Sequence, residues 1–427
     1  MRISRSHEDN RTYRNSHHRD NLLAFPKNFE WGAATAPHQV EGNNIHSDWW
    51  QWEPGHVAHN QTSGEACDHY RMFQSDFDTI QQLNHTAHRL GIEWARLEPK
   101  QGEWDQDAIE HYHDVFRALK KRNIKIMLTL HHFTNPLWFS EQGGWEKKKN
   151  IKAFLRFVEF VAQEYHEYID WWITINEPMV YLTEAYIFGH RPPQKISLWI
   201  AYRVYRTMAC AHRLAYKKIH EIDPHARVGL AHNVSSYHAY RKHAFLDQLF
   251  EMILDRVTNH AFLKKSGFPQ CHDFLGLNYY FHIRIKHVRL MSILKNFDIF
   301  EPVMTERRDT SDIGWELYPH GLFNALMDFA DSGKPIYITE NGIATDDDKK
   351  RQKFIHEYIT EIWHAINGGA DVRGYFYWSL LDNFEWEAGF GPRFGLVHID
   401  YQTQKRTLKQ SAHLYAEICK KNGIEAS

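Results

Sequence analysis

The chain has 427 residues, 43% hydrophobic and 15% aromatic, with 51 basic against 53 acidic side chains. Such a composition can build a large core, and its balanced charge gives no basis for a nucleic-acid partner. No apolar run approaches the roughly 18–20 residues needed to cross a bilayer, which excludes a helical membrane anchor.

The first 21 residues are polar and charged, and Leu22–Phe25 is too short for the apolar centre of a signal peptide. Residues 1–21 are therefore expected to be a disordered extension. The four cysteines, Cys67, Cys210, Cys271 and Cys419, have neither CxxC nor zinc spacing. They read as reduced thiols of a cytoplasmic protein.

From about residue 28, eight short apolar runs alternate with longer amphipathic stretches. The runs are Glu30–Ala36, Ala87–Leu97, Lys125–Phe133, Asp170–Asn176, Arg227–Asn233, Asp273–Tyr280, Pro335–Glu340 and Gly374–Leu380. Between them, Asp107–Lys121, Ile151–Tyr168, Leu198–Ile222 and Asp347–Asn367 carry apolar residues at three- and four-residue intervals, as helices do. Strand-then-helix alternation implies parallel strands with crossover helices. Eight such units without a linker predict one α/β domain over residues 22–427, a (β/α)8 TIM barrel.

In such a barrel the chemistry sits at the C-terminal ends of the strands. The polar residues fall there. Gln39 follows run one, Arg96 closes run two, His132 closes run three, and Asn176 with Glu177 closes run four. Asn278 and Tyr280 end run six, Glu340 ends run seven, and Trp378 lies in run eight. A lone glutamate in a loop is usually a solvated charge. Two of them, each at the end of an apolar strand with aromatics alongside, suggest the carboxyl pair that cleaves a glycosidic bond.

The motifs carry the argument further. They are Phe29-Glu-Trp-Gly-Ala-Ala-Thr-Ala-Pro-His-Gln-Val-Glu-Gly42, Thr174-Ile-Asn-Glu-Pro178, Leu277-Asn-Tyr-Tyr280, Tyr337-Ile-Thr-Glu-Asn-Gly342, and Tyr377-Trp-Ser-Leu-Leu-Asp-Asn-Phe-Glu-Trp386 with Arg393-Phe-Gly-Leu396. From about Phe25 onward the chain resembles glycoside hydrolase family 1, the β-glucosidase family.

That resemblance implies a retaining β-glycosidase acting on terminal β-D-glucosyl, galactosyl or fucosyl residues of a small glycoside or oligosaccharide. Glu340 would be the nucleophile, kept ionised by Arg96 and the Tyr280 hydroxyl, because an adjacent cation lowers a carboxyl pKa. Glu177 would be the general acid and then base, its pKa raised by a partly apolar site and by the charge of Glu340. Asn176 would donate to the sugar 2-hydroxyl, with Asn278 in support. Gln39, His132, Trp378, Glu385, Trp386 and Phe394 would hold the sugar, and Glu385 would repel a 6-phosphate. No metal or organic cofactor is implied, and a homo-oligomer is compatible with the sequence.

Three departures from the family pattern stand out. His131-His-Phe-Thr-Asn-Pro136 replaces the usual His-Trp-Asp-Leu-Pro, so Phe133 stands where an indole donor is expected. Pro37 replaces a small residue. The stretches between Asn233 and Asp273 and between Tyr280 and Pro335 are shortened around strands five and six. Two other functions compete with hydrolysis: a transglycosidase using the same residues, and a non-catalytic sugar-binding relative, which would ordinarily lack one of the two glutamates. The chain's 31 histidines, among them His17, His18, His232, His238 and His243, come with no HExxH or CxxCH pattern and read as core or surface residues.

Overall fold

The computed structural model describes residues 22–286 and 308–426; the extension expected over residues 1–21 lies outside them. Eight strands form a closed barrel. In chain order they are β1 (Glu30–Ala34), β2 (Ala87–Gly91), β3 (Lys125–Thr129), β4 (Trp171–Asn176), β5 (Val228–Ala239), β6 (Leu275–Ile285), β7 (Ile336–Asn341) and β8 (Val372–Trp378). All neighbours pair in parallel, and β1 closes the ring on β8 from Glu30↔Gly374 to Ala34↔Trp378. Burial on both faces is why these strands read as continuous apolar runs.

Each strand is followed by a helix: α1 (His69–Gln82), α2 (Gln106–Lys121), α3 (Ile151–Tyr165), α4 (Leu198–Ile222), α5 (Phe245–Asp255), α6 (Pro319–Asp328), α7 (Asp348–Asn367) and α8 (Gln410–Lys421). Local chemistry sets several boundaries. The Ser197 hydroxyl accepts from the Ile200 amide to start α4, Asp105 accepts from Ala108 to start α2, and Asp347 accepts from Lys349 and Lys350 to start α7.

The barrel interior is a packed layer of Ala34, Ala87, Met127, Trp171, Ile173, Ala231, Tyr337 and Phe376. Gly32 is required there, since a Cβ on it would lie 2.4 Å from the Ala87 carbonyl oxygen and 2.9 Å from the Phe376 ring. A larger apolar cluster fills the space between the strands and the helical ring. Outside the barrel, Leu22–Ala24 pairs with Gly423–Glu425. Among the described residues no helix is long and apolar enough to cross a membrane.

Several strand limits differ from the sequence reading. Run two stops at Gly91, and Glu93 caps a short helix, Trp94–Leu97, by accepting from the Ala95 amide. Conversely, β5 and β6 continue past Asn233 and Tyr280 and stay paired as far as Ala239↔Ile285. Beyond Asn233 and Tyr280 the two strands stay together as a parallel ribbon.

Candidate active site

A cavity of about 600 Å³ opens at the C-terminal ends of the strands. Its lining includes Gln39, His132, Glu177, Tyr280, Glu340, Trp378, Glu385, Trp386 and Phe394. The ribbon walls one side with Tyr237, Phe281 and Ile283. His131 lies behind the wall, bonded to Asn135 at 3.0 Å and packed on Trp145, so His132 is the cavity histidine.

Arg96 is the exception. It sits on the Trp94–Leu97 helix, where Nε donates to Glu41 at 3.1 Å and Nη2 to the Gly42 carbonyl at 2.7 Å. The cation beside Glu340 is Arg89, from the middle of β2. Its Nη1 donates to Glu340 Oε1 at 2.5 Å and to the Thr339 carbonyl at 3.0 Å, and its Nη2 to Asn176 Oδ1 at 2.6 Å. Alternation along β2 explains the choice: Ala87 faces the interior, so Arg89, two residues on, does too. A charge inside an apolar strand needs a partner, and that was the available signal.

Glu340 receives a second bond on Oε2, from the Tyr280 hydroxyl at 2.9 Å. Burial pushes its carboxyl pKa above the ordinary range, while Arg89 and Tyr280 pull it back. The expectation of a simply lowered pKa is thus corrected: desolvation outweighs the cation in the empty site.

Among the described residues no cation forms an ion pair with Glu177. Amide nitrogens of Asn278 at 2.9 Å and Asn233 at 3.3 Å donate to its Oε1. Burial first, and the charge of Glu340 second, raise its pKa to about 7. The Asn278 amide also donates to Asn176 at 3.1 Å, and its oxygen accepts from Thr339 at 2.6 Å. With Arg89 and Asn278 both on Asn176 Oδ1, the Asn176 amide nitrogen is the end left to face ligand and His132, 3.2 Å away.

At the opposite wall, Gln39 Nε2 donates to Asn383, to the Phe384 carbonyl and to Glu385 at 3.0, 3.0 and 3.3 Å. Its Oε1 is buried with no hydrogen-bond partner among the described residues. Burial raises the Glu385 pKa to about 8, with Arg191 opposing and Glu387 reinforcing the shift. The His132 ring lies near-parallel to Trp378 and Trp386, 6.0 Å from each. Glu177, Phe133 and Trp386 all have positive φ, at 42°, 70° and 49°. Non-glycine residues held there carry strain that the surrounding structure must sustain, and such strain gathers at functional sites.

Asn233, Trp315, Arg191 and Glu387 also line the cavity, unforeseen in the sequence. Asn233 ends run five and could have been found by the strand-end logic that found the others. The singled-out His232 is a buried core residue, its Nε2 3.1 Å from the carbonyls of both Thr258 and Asn259. Among the described residues, Asp255, His260 and Asp328 alone bring three metal-ligating atoms within 4.8 Å of one another, and none of the three lines the cavity.

Comparison with known proteins accords with this geometry. The model of glycosyl hydrolase family 1 matches residues 22–265 and 258–424. β-Glucosidase A of Thermotoga maritima is 30% identical over 454 aligned residues, covering 95% of this chain and all of the relative. The solved β-glycosidase from Pyrococcus horikoshii superimposes with a TM-score of 0.88 at 37% identity, covering 94% of this chain and 96% of that one. The β-glucosidase from Thermotoga maritima in complex with deoxynojirimycin gives 0.88 at 28% identity, covering 94% and 100%. With the barrel, the two strand-end glutamates and a family match across nearly the whole described chain, this protein belongs to glycosyl hydrolase family 1 and is a glycosyl hydrolase.

Proposed function

We propose that this enzyme hydrolyses terminal β-D-glucosides, and related galactosides and fucosides, with retention of configuration through a covalent glycosyl-enzyme. The observation that carries the reading is the unequal treatment of two buried carboxyl groups. Glu340 contacts a guanidinium and a phenol, which favour its ionised form, whereas the hydrogen bonds to Glu177 from described residues come from neutral amides, and its pKa is raised to about 7. Two carboxyl groups with partners this unequal divide into nucleophile and acid.

In the first step a Glu340 oxygen attacks the anomeric carbon while Glu177 protonates the departing oxygen. The ester so formed carries no charge, so the repulsion on Glu177 disappears and its pKa falls. It can then take a proton from the water that attacks the ester and restores Glu340. A retaining enzyme uses carboxyl groups about 5–5.5 Å apart and an inverting one about 6.5–9.5 Å. Asn278, bonded to Glu177, and Tyr280, bonded to Glu340, both lie on β6 and bring the two carboxyl groups to one side of the mouth. The amide nitrogen of Asn176 is oriented to hold the sugar 2-hydroxyl, a contact that strengthens in the transition state. The deoxynojirimycin complex of the Thermotoga maritima relative supports a sugar-shaped ligand at this site.

The test is the Glu340→Gly variant with an aryl β-glucoside. Turnover should vanish and return with added azide as an α-glucosyl azide. Undiminished hydrolysis by the variant without azide would refute the assignment. Product analysis with added sugar acceptors separates hydrolysis from transglycosylation.

A further inference from the structure

The geometry points to Arg191 as a specificity-determining donor to the non-reducing sugar, with Glu387 as its positioning residue. This inference rests on the glycosidase reading above. Phe133, in the cavity wall, offers a ring but no hydrogen-bond donor. The Arg191 guanidinium carbon stands 5.4 Å from the centre of that ring and 5.9 Å from the centre of the Trp386 ring. It therefore sits beside both aromatic walls, on the Glu385 side of the cavity. Its side chain is only 15% exposed.

Glu387 fixes the fork. Arg191 Nε donates to its Oε2 at 2.7 Å and Nη2 to its Oε1 at 3.0 Å, a bidentate pair with little rotational freedom. Nη1 makes no hydrogen bond to a described residue, so its two hydrogens remain for a ligand. Both residues line the same cavity as Gln39, His132 and Glu385. A buried cation whose charge is already met by Glu387 suits a neutral acceptor, and a sugar hydroxyl is that group. The site thus regains, from a loop residue beside the Phe133 ring, a donor that position 133 does not supply.

The test uses 4-nitrophenyl β-glucoside and its 3-, 4- and 6-deoxy analogues with wild type, Arg191→Met, Arg191→Lys and Glu387→Gln. Losing a hydroxyl bonded to a charged donor should lower wild-type kcat/KM roughly ten- to hundredfold. In Arg191→Met that penalty should collapse for one deoxy position and persist at the other two. Arg191→Lys, which keeps the charge but not the fork, and Glu387→Gln should each reduce it in part. Adding Phe133→Trp to Arg191→Met should recover discrimination. Equal penalties in every variant, with a uniform fall in rate or melting temperature, would make the pair merely structural and overturn the inference. A wild type inactive on all four substrates would instead overturn the glycosidase reading on which it rests.

Discussion

Arg89 and Glu340 form an ion pair inside the barrel, 2.5 Å apart with side chains only 1% and 5% exposed. The same guanidinium reaches Asn176, so one residue of β2 braces the ends of both β4 and β7. Arg96, seven positions later, braces Glu41 in the loop after β1 instead.

Replacing either arginine should therefore give different outcomes. Arg89→Met leaves Glu340 buried without its cation, so it should take up a proton and lose nucleophilicity. Turnover should fall by roughly 10²–10³ or more, the scale of losing one well-placed electrostatic contact. Stability should fall by about 3–5 kcal/mol, as when one partner of a buried pair is removed. Arg96→Met should lower the melting temperature while leaving kcat/KM within a few-fold. Steady-state kinetics and thermal melts on the two variants check this.

The pH profile follows from Glu177. It must be protonated to act as an acid, and its pKa lies at about 7. The kcat/KM of the free enzyme should therefore decline as pH rises through about 7. Removing the Glu340 charge removes one of the two causes of the elevation, so in Glu340→Gln the Glu177 carboxyl should titrate at lower pH. Carboxyl-selective NMR titration of the variant checks the direction.

Glu385 gives a stability prediction of defined sign. Its folded-state pKa of about 8 exceeds that of an unfolded glutamate, so the folded state holds the proton more tightly. Stability is then lost as pH rises from the unfolded pKa toward about 8, and the loss is constant above that. The melting temperature of Glu385→Gln relative to wild type should rise between pH 5 and 8 and then level off. Substrate affinity should fall in the same variant.

Gly342 closes the Glu-Asn-Gly motif for a steric reason. A Cβ there would lie 1.7 Å from the Trp378 carbonyl oxygen, a backbone atom that cannot step aside cheaply. Gly342→Ala should therefore displace the Glu340 and Trp378 strand ends together, lowering both melting temperature and activity. A crystal structure of the variant would register the shift.

The barrel was legible because its strands are buried on both faces and its helices are periodic. Leu198–Ile222 was read to the residue, and the structure shows Ser197 capping it. The glutamates were legible because they stand at the ends of apolar runs. Arg89 was hidden by the run from Ala87 to Leu97, whose apolar character continues through Trp94 and Leu97 after the backbone has turned into a helix at Glu93. The upper halves of β5 and β6 were missed because they leave the barrel and carry polar residues such as Ser235, Ser236 and His238. Arg191 and Glu387 meet in the cavity wall from distant parts of the chain, and no local pattern announces such a pair.

The central claim is that Glu340 becomes covalently bonded to the sugar while Glu177 handles the proton. It is tested most directly by mass spectrometry of the enzyme incubated with 2,4-dinitrophenyl 2-deoxy-2-fluoro-β-glucoside. Fluorine slows both steps, and the good leaving group restores the first, so the ester should accumulate. The account predicts one fluoroglucosyl adduct per chain, on the peptide containing Glu340. An adduct on another residue, or none while the substrate is turned over, would contradict it.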